Sequence, residues 1–480
     1  MSNGTIRIAP DSTGKLIDNG VYTVGGVADV YRQRVEVFGP NDSATLPVTG
    51  PATDAELRAT PLPVSGTVAT GGLTDTQLRA SAVTVGFSGA FLSPFGDLIA
   101  QALTPLVQLD WVYGINTQTG VTTVVSTGTV DTNLSRLRIQ TSTSTTGSGI
   151  FQSRKPAKYR AGQGVIIRTT AAFTTGVASS TQFVGIGTDT DGYFYGFNGA
   201  AFGILYRAWS SDTWIPQSSW NGDKCDGTGA SGFNWDKTKG TVIMIKYPYL
   251  GYGNITFWVE DPATSGMILC HTIKYNNTTT TVQISNPNLF FYAQAINAGN
   301  NTNLIIYCGS AGVFLCGERS YVGNPKWAAD SNKAAVTAET NLLSIRNATS
   351  YNGVTNRSLI RINSISYAGG SATATTVSTL RVRIGATVGG VPSFAAVNGT
   401  TANAGVTITA GNSIASIDTA GTTATGGTYL FNCSVSASGT NTIDTTPFNL
   451  FIAPGEIMTF SGFASANSSQ VVSVNWTEDI

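Results

Sequence analysis

The sequence is short of charged residues. In a chain of 480 residues, Lys and Arg number 27 and Asp and Glu also number 27, so 11% of the residues are charged, against about 25% in ordinary soluble domains. The net charge is zero, which argues against nucleic acid as the main partner. No run of apolar residues approaches the roughly 18 that a membrane helix needs, and residues 1–9 lack the regions of a signal peptide. We therefore expect no membrane insertion.

Histidine and cysteine are also scarce. His271 is the sole histidine, which excludes a site built from several histidines and leaves no predicted metal site or cofactor. The 5 cysteines are widely and irregularly spaced, without a CxxC pair. Their odd number predicts mostly buried thiols made in a reducing compartment, with a structural disulfide as the alternative.

Helical periodicity is nearly absent, and short runs of β-branched and aromatic residues recur between Gly, Asn, Asp and Ser. Examples are Gly164–Thr169, Thr241–Tyr247 and Ser358–Asn363. This pattern predicts an all-β chain: an extended N-terminal segment (1–110) with short helical turns, followed by two β-sandwich or jelly-roll domains (111–325 and 335–480). We expect a hairpin turn at Asn198-Gly199. The one stretch that favours a longer helix is Ala334–Arg346.

The N-terminal segment carries a degenerate repeat. Thr53–Ala59 and Thr74–Ala80 each open with a capping box, and each leads into a short extended piece. Units this small cannot bury their own core, so they are expected to order against a partner chain or another copy. The alternative is a pair of capped turns on the surface of a globular domain. Candidate attachment or oligomer-interface residues are Leu57, Arg58, Leu78, Arg79, Tyr31, Arg32 and Arg34.

Charge is unevenly distributed along the chain. Between Arg136 and Arg168 there are seven cations and no Asp or Glu, whereas after Arg383 there is no Lys or Arg. The cations repel one another unless something compensates them. The stretch is therefore expected either to dock on an acidic neighbouring subunit or an anionic glycan, or to form a solvated strand face. The candidate docking residues are Arg154, Lys155, Lys158 and Arg160.

No catalytic constellation is evident. His271 lies in a strand-like run away from any Gly-flanked nucleophile, which favours a structural histidine. Carboxylate pairs could support glycoside hydrolysis, but nothing in the sequence brings one pair across a cleft. The segment Thr188–Tyr193 opens like a calcium loop and lacks the later ligands, so a β-turn is favoured. The carboxylate pairs considered for hydrolysis are Asp189 with Asp191, Asp223 with Asp226, and Glu260 with Asp261.

Tryptophan is concentrated in one region. Four of the 8 tryptophans lie between Tyr193 and Trp235, among Ser, Asp, Asn and Gly. Indole faces beside polar side chains suit sugar rings, which offer a C–H face and hydroxyls. The alternative is that these tryptophans fill the core beneath long loops. The candidate glycan-binding residues are Trp209, Trp214, Trp220, Asp212, Asn221 and Trp235.

The repeats also carry a resemblance. The pattern Thr-Asp-x-x-Leu-Arg-Ala followed by Pro-Leu-Pro-Val-Ser-Gly (61–66) resembles N-terminal parts of virion structural proteins of tailed bacteriophages. Tyr31–Val35 is similar to segments that precede it there, and further similar segments are Arg154–Gly164, Ile452–Phe460 and Trp476–Ile480. In that class, N-terminal segments mount the protein on the particle and β-rich domains face outward as fibres, spikes or decorations, frequently as trimers. The block Ser135–Gly317 looks like a lectin-type jelly roll by analogy of fold.

These observations together predict a non-enzymatic structural component of a tailed-phage particle. It would be a fibre- or spike-like homotrimer, assembled in the host cytoplasm, exposed on the virion and bound to capsid, collar or tail proteins. Its sandwiches would contact host-surface polysaccharide. The alternatives are a capsid or tail decoration protein that cements its neighbours without binding a receptor, and a polysaccharide-degrading tailspike.

Overall fold

The computed structural model describes residues 103–318, 323–371, 373, 375–398, 401–402 and 413–480, together with the backbone of three strands near the N-terminus. The chain divides into two compact units, Met1–Gly86 and Phe87–Ile480. No helix in the described part of the chain has the length and hydropathy needed to cross a bilayer.

The N-terminal unit contains one antiparallel sheet with the strand order β1-β2-β3. In this sheet, β3 carries Tyr31, Arg32 and Arg34 opposite Val21, Gly20 and Asp18 of β2. The Thr53–Ala59 and Thr74–Ala80 repeats, with Leu57, Arg58, Leu78 and Arg79, lie outside the described residues. The three strands are β1 (Thr5–Ile8), β2 (Lys15–Val24) and β3 (Val27–Arg34).

The second unit begins with a sandwich of sixteen strands. They are β4 (Leu103–Asp110), β5 (Gly120–Val125), β6 (Thr129–Asn133), β7 (Arg136–Gln140), β8 (Ser148–Ser153), β9 (Val165–Phe173), β10 (Ser180–Gly187), β11 (Gly192–Asn198), β12 (Ala201–Ala208), β13 (Ser211–Pro216), β14 (Thr241–Tyr247), β15 (Ile255–Glu260), β16 (Met267–Ile273), β17 (Phe290–Asn297), β18 (Ile305–Cys308) and β19 (Ser310–Cys316).

Two antiparallel sheets form this middle sandwich. One has the order β13-β12-β11-β10-β17-β8-β5, and the other has the order β16-β15-β14-β9-β18-β7-β6, with β19 pairing with β9 and β4. A single apolar cluster fills the space between them, which is where the β-branched and aromatic runs of the sequence are buried. Its largest members include Trp111, Phe151, Tyr193, Tyr195, Trp235, Phe257 and Phe291.

The remaining strands form a second, C-terminal sandwich. They are β20 (Lys326–Val336), β21 (Thr340–Asn347), β22 (Ser350–Tyr351), β23 (Val354–Thr355), β24 (Ile360–Gly370), β25 (Val377–Ile384), β26 (Thr387–Gly389), β27 (Ala395–Asn398), β28 (Thr401–Ala402), β29 (Ala415–Asp418), β30 (Thr423–Thr425), β31 (Thr428–Ser436), β32 (Thr440–Asp444), β33 (Phe451–Ile452), β34 (Ile457–Ala464) and β35 (Ser468–Glu478).

The main sheets of the C-terminal sandwich have the orders β20-β35-β24-β32 and β28-β27-β29-β21-β34-β25-β31, with β33 joining β24. A second apolar cluster lies between them and includes Leu343, Ile362, Phe460 and Trp476. The predicted all-β fold with two sandwiches is thus confirmed. The short pairs β22-β23 and β26-β30 stand apart as two-stranded ribbons.

The helix expected over Ala334–Arg346 is wrong. β20 ends at Val336, and β21 begins at Thr340. Leu342, Leu343 and Ile345 are all buried. Because β21 is covered on both faces, its apolar residues do not alternate with polar ones, and the run therefore resembles a helical pattern.

One further expectation concerns local structure. The hairpin at Asn198-Gly199 is confirmed: Asn198 pairs with Ala201, and Gly199 has a positive φ of 61°.

The strands also show where the two sandwiches begin. β4 lies within the predicted attachment segment yet pairs with β19 of the middle sandwich, and β20 begins nine residues before the predicted start of the C-terminal sandwich, at Lys326.

Candidate functional site

An exposed tryptophan stands at the tip of a tight hairpin in the middle sandwich. β12 and β13 pair as far as Ala208 and Ser211, so only Trp209 and Ser210 form the turn. Both have left-handed backbone conformations, with φ of 54° and 64°. Such a two-residue turn ordinarily uses Asn or Gly, because a bulky side chain at positive φ is strained. The turn nevertheless presents a Trp209 side chain that is 60% exposed.

The strained turn is held by hydrogen bonds from outside the hairpin. The backbone N–H of Ser210 donates to the carbonyl of Thr190 at 2.9 Å. The backbone N–H of Trp209 donates to Oδ1 of Asp191 at 3.3 Å, and its indole Nε1 donates to the carbonyl of Val282 at 3.5 Å. Strain that surrounding contacts maintain is characteristic of functional sites. The position of this indole is therefore a built feature of the fold.

A polar pocket of about 170 Å³ adjoins the exposed indole. It lies between the two sandwiches, since the ribbon β22-β23 of the C-terminal sandwich supplies one wall. Hydroxyl, amide and guanidinium groups dominate its lining, with one valine. The lining residues are Thr190, Trp209, Ser210, Ser285, Asn286, Val354, Thr355 and Arg357.

Arg357, which lines this pocket, belongs to a buried ion pair. Nη2 of Arg357 contacts Oδ2 of Asp191 at 2.9 Å, and the two side chains are 4% and 0% exposed. The carboxylate also accepts hydrogen bonds from the backbone N–H and the hydroxyl of Ser285, at 2.8 and 2.5 Å. The guanidinium donates further to the hydroxyls of Thr188 and Thr190 and to the carbonyl of Asn286.

This network keeps Asp191 ionised in spite of its burial. Burial alone raises the pKa of a carboxyl group. Hydrogen bonds from Ser285, the charge of Arg357 and the N–H of Trp209 outweigh burial and hold the pKa of Asp191 below its usual value. The Asp191–Arg357 pair therefore carries no net charge, and the pocket presents hydrogen-bonding groups beside this neutral pair.

The remaining predicted tryptophans are not at this surface. Trp220 and Trp235 are 3% and 2% exposed and pack in the middle core against Tyr195 and Phe202. A buried indole has no face available to a sugar, so the prediction that Trp220 and Trp235 stack on sugar rings is corrected. These two tryptophans fill the core, as in the alternative interpretation. Trp214 is half-buried, with its ring centroid 6.1 Å from that of Phe183.

The two polar candidates serve local structure. Asp212 forms a two-point ion pair with Arg207 across the β12-β13 hairpin, at 2.7 and 3.0 Å. Asn221 is bonded to Thr272 of β16 in both directions, at 2.8 Å each way. Of the six glycan-binding candidates, Trp209 alone lines the pocket.

The basic stretch contacts the C-terminal sandwich of the same chain. Arg154 is paired with Glu456 and Arg160 with Asp479, at 2.5 and 2.6 Å. The buried ammonium of Lys158 lies 3.5 Å from Oγ of Ser358, and that of Lys155 lies 5.8 Å from the centre of the Phe451 ring. The acidic carboxyl-terminal block thus compensates two of these cations within one chain, and docking of the stretch on a separate subunit stays a prediction.

Asp191 pairs with Arg357, and three more of the carboxylates considered for catalysis or calcium binding accept hydrogen bonds from nearby residues. Burial raises the pKa of Asp223, but its carboxylate accepts hydrogen bonds from the backbone N–H groups of Cys225 and Ser231. These hydrogen bonds outweigh burial, so the pKa of Asp223 is lowered. Asp226 and Asp261 each bond to a threonine within three residues. Across the described residues, no group of three or more His, Cys, Asp or Glu side chains is placed to hold a metal ion.

The histidine and three of the cysteines are buried. His271 is buried, its Nδ1 accepts the backbone N–H of Asn221 at 3.1 Å, and burial lowers its pKa. All five cysteines are free thiols, and three of them (Cys225, Cys270 and Cys308) are buried. The prediction of mostly buried thiols is confirmed, and the Sγ atoms of Cys225 and Cys270 lie 3.7 Å apart.

Sequence reasoning did not identify most of the pocket. Four of the lining residues come from loops and a ribbon that lie 94 to 166 residues after Asp191 in the chain, and no sequence motif links them to it. They are Ser285, Asn286, Thr355 and Arg357. One signal is present in the sequence: Thr188–Tyr193 stands out for its carboxylates and its turn. The pairing of Asp191 in this segment with Arg357 on the other sandwich cannot be predicted from a local sequence pattern.

Comparison with known proteins gives only distant structural matches. No known protein family matches the sequence, and no curated protein matches it. Among solved structures, a point mutant of the Emp46p carbohydrate recognition domain is 10% identical, covers 46% of this chain and 100% of its own, and has a TM-score of 0.30. Lectin II from Ulex europaeus is 10% identical, covers 44% and 99%, and has a TM-score of 0.30. A seed lectin from Lotus tetragonolobus is 9% identical, covers 45% and 100%, and has a TM-score of 0.28.

Proposed function

We propose that this chain is a non-enzymatic structural component of a tailed-phage particle that contacts a host-surface glycan through the Trp209 pocket. The observation that carries the glycan proposal is the exposed indole held on a strained turn beside a pocket of hydroxyl and amide groups. An exposed large aromatic at positive φ costs stability, and ligand contact gives a reason for it to be retained.

The chemistry of the pocket suits a neutral sugar ring. The flat indole face of Trp209 can stack on the C–H face of the ring, while the pocket supplies donors and acceptors for its hydroxyls. The volume of about 170 Å³ is below the roughly 300 Å³ at which small-ligand pockets begin. We therefore propose that one sugar residue enters the pocket and that the rest of the glycan remains outside.

The placement on a virion rests on the sequence. The repeats at 53–59 and 74–80 and the segments that resemble tailed-phage virion proteins support attachment through the N-terminal part. A homotrimer, bound to capsid, collar or tail proteins and exposed on the particle, completes the proposal. A cryo-electron-microscopy map of the intact particle tests the location, and a light-scattering mass of the isolated chain tests the trimer.

Binding to purified host-surface polysaccharide tests the glycan contact. We expect the wild-type protein to bind and Trp209→Ala to lose at least about tenfold in affinity, since stacking and burial of an aromatic anchor contribute on the order of 1.4 kcal/mol or more. Tyr113→Ala is the matched control, because Tyr113 is 99% exposed and lies outside the pocket.

The two alternatives predict different results in the same assay. A decoration protein without a receptor has no affinity for the polysaccharide, and the glycan proposal then fails. A polysaccharide-degrading tailspike releases reducing ends from the bound polysaccharide, and the non-enzymatic proposal then fails.

A further inference from the structure

A second cavity in the C-terminal sandwich is built around a row of three side chains. In the sheet order β20-β35-β24, Thr477 of β35 is in register with Lys326 of β20 on one side and with Arg361 of β24 on the other. Residues directly opposite one another in a sheet project on the same face. The two cations therefore flank the threonine hydroxyl, with Cα atoms about 10 Å apart across two strand spacings.

The cavity above this row measures about 360 Å³, within the range of roughly 300 to 1,000 Å³ usual for small-molecule sites. Ile362 and Leu450 are 2% and 8% exposed and belong to the core of the sandwich, so they close the cavity from beneath. Amide and hydroxyl groups provide the remaining polar surface. The complete lining is Lys326, Arg361, Ile362, Asn363, Thr446, Asn449, Leu450 and Thr477.

The hydrogen bonds around the row orient its donors. Nη1 of Arg361 donates to Oδ1 of Asn449 at 2.5 Å, which positions the guanidinium at the cavity wall. Nδ2 of Asn363 donates to Oγ1 of Thr477 at 2.5 Å. Because the threonine oxygen accepts this bond, its own O–H proton is directed toward another acceptor.

The lining contains two cations and no carboxylate. The acidic residues adjacent to it in sequence are engaged elsewhere. Glu478 is buried and bonded to Ser413 and to the N–H of Ile414, and Asp479 is paired with Arg160. Asp444 accepts the backbone N–H of Thr446. The cavity lining is therefore a local concentration of positive charge.

We propose that this cavity binds the carboxylate of an acidic sugar residue, such as a uronic acid. The carboxylate lies between Lys326 and Arg361 and accepts the hydroxyl proton of Thr477. The amides of Asn363 and Asn449 contact sugar hydroxyls. This site is distinct from the Trp209 pocket, and a virion glycan-binding protein with both would recognise a polysaccharide that contains neutral and acidic residues.

A pair of glycosides that differ only in the anion tests this inference. Methyl β-D-glucuronide and methyl β-D-glucoside are titrated against the full chain by calorimetry or by ligand-observed NMR. We expect the glucuronide to bind at least about tenfold more tightly than the glucoside, because hydrogen bonds to charged groups are stronger than neutral ones.

Lys326→Gln removes one cation from an exposed strand position and should leave the fold intact. We expect it to weaken glucuronide binding about tenfold and to leave the weak glucoside binding unchanged. Lys274→Gln, which removes an exposed lysine of the middle sandwich, should bind as the wild type does. Thermal melting of each variant confirms that it is folded.

Three results would overturn the inference: equal binding of the two glycosides, unchanged glucuronide binding in folded Lys326→Gln, or binding of inorganic phosphate without any binding of glucuronide. Trp209→Ala separates this inference from the proposed function. This variant should bind glucuronide as the wild type does. The acidic-sugar inference can therefore be wrong while the proposed Trp209 contact is right, and the Trp209 contact can be wrong while the inference is right.

Discussion

Arg154 and Glu456 are 302 residues apart in the chain and form a two-point ion pair, with Nε to Oε1 at 2.5 Å and Nη2 to Oε2 at 2.6 Å. The pair joins the middle sandwich to the C-terminal one. Arg160 with Asp479 and Arg357 with Asp191 bridge the same two sandwiches. The cations of the basic stretch are thus compensated in part by carboxylates of the same chain.

Exchanging the charges of Arg154 and Glu456 tests this interface. The single variant Arg154→Glu should lower the free energy of unfolding by about 1 to 3 kcal/mol, because two carboxylates then face each other in a partly buried setting. The double variant Arg154→Glu with Glu456→Arg should recover most of that loss. Urea unfolding measures both, and an equal loss in the single and double variants would show that the contact is unimportant.

Loss of the buried cation at the Trp209 pocket should be far more costly. Arg357→Met leaves the carboxylate of Asp191 buried without its charge partner, and we expect a loss of about 3 to 5 kcal/mol. Arg138→Met is the matched control, since Arg138 forms an ion pair with Asp131 whose side chains are 27% and 43% exposed. That change should cost about 1 kcal/mol or less. Similar losses in the two variants would contradict the account of the buried pair.

Two tryptophans of the same region should differ sharply in their effect on stability. Trp220→Ala removes a side chain that packs against Tyr195 and Phe202 in the core, and it should cost about 3 to 5 kcal/mol. Trp209→Ala removes an exposed ring and should change the free energy of unfolding by less than about 1 kcal/mol. Chemical unfolding followed by circular dichroism compares them. A large loss in Trp209→Ala would mean that this indole is structural.

The single histidine reports on the middle sandwich. Burial lowers the pKa of His271 in the folded state, so its NMR titration midpoint should fall below about 6.5, the value of an unperturbed histidine. The neutral ring is the form favoured by folding. Its contribution to stability is therefore complete above about pH 6.5 and is lost as the pH falls through the folded-state pKa. A midpoint at or above 6.5 would contradict the buried, neutral assignment.

Thiol reactivity should follow burial. Cys308 is buried, and burial raises the pKa of its thiol to about 12, while the neighbouring Cys270 thiol and burial also raise the pKa of Cys225. The thiolate is the reactive form. Iodoacetamide should label half-buried Cys433 well before Cys225 and Cys308 in the native protein, and all five in denaturant. Rapid native labelling of Cys308 would show that the core of the middle sandwich is open.

The sequence predicted the fold class well because strand formation is local. Runs such as Thr241–Tyr247 and Ile255–Glu260 are rich in β-branched and aromatic residues, and both are strands of the middle sandwich. The pattern failed at Ala334–Arg346, where burial on both faces of β21 removed the alternation that identifies a strand.

The candidate site was only partly predictable, for a reason of geometry. The concentration of tryptophans indicated the right region, but only packing decides which indole is exposed: Trp209 lies on a turn and Trp220 in the core. The pairing of Asp191 with Arg357 joins two domains, and no local pattern encodes a contact of that range. Likewise, the register that places Lys326 and Arg361 on either side of Thr477 depends on the order of the strands in the sheet.

The most direct test of the proposed glycan contact is a crystal structure of the protein with an oligosaccharide from the host surface. The account predicts a sugar ring stacked on the indole of Trp209, with hydroxyls in hydrogen-bonding distance of Ser285, Asn286 or Thr355. A structure in which the bound oligosaccharide leaves Trp209 and this pocket empty would contradict it.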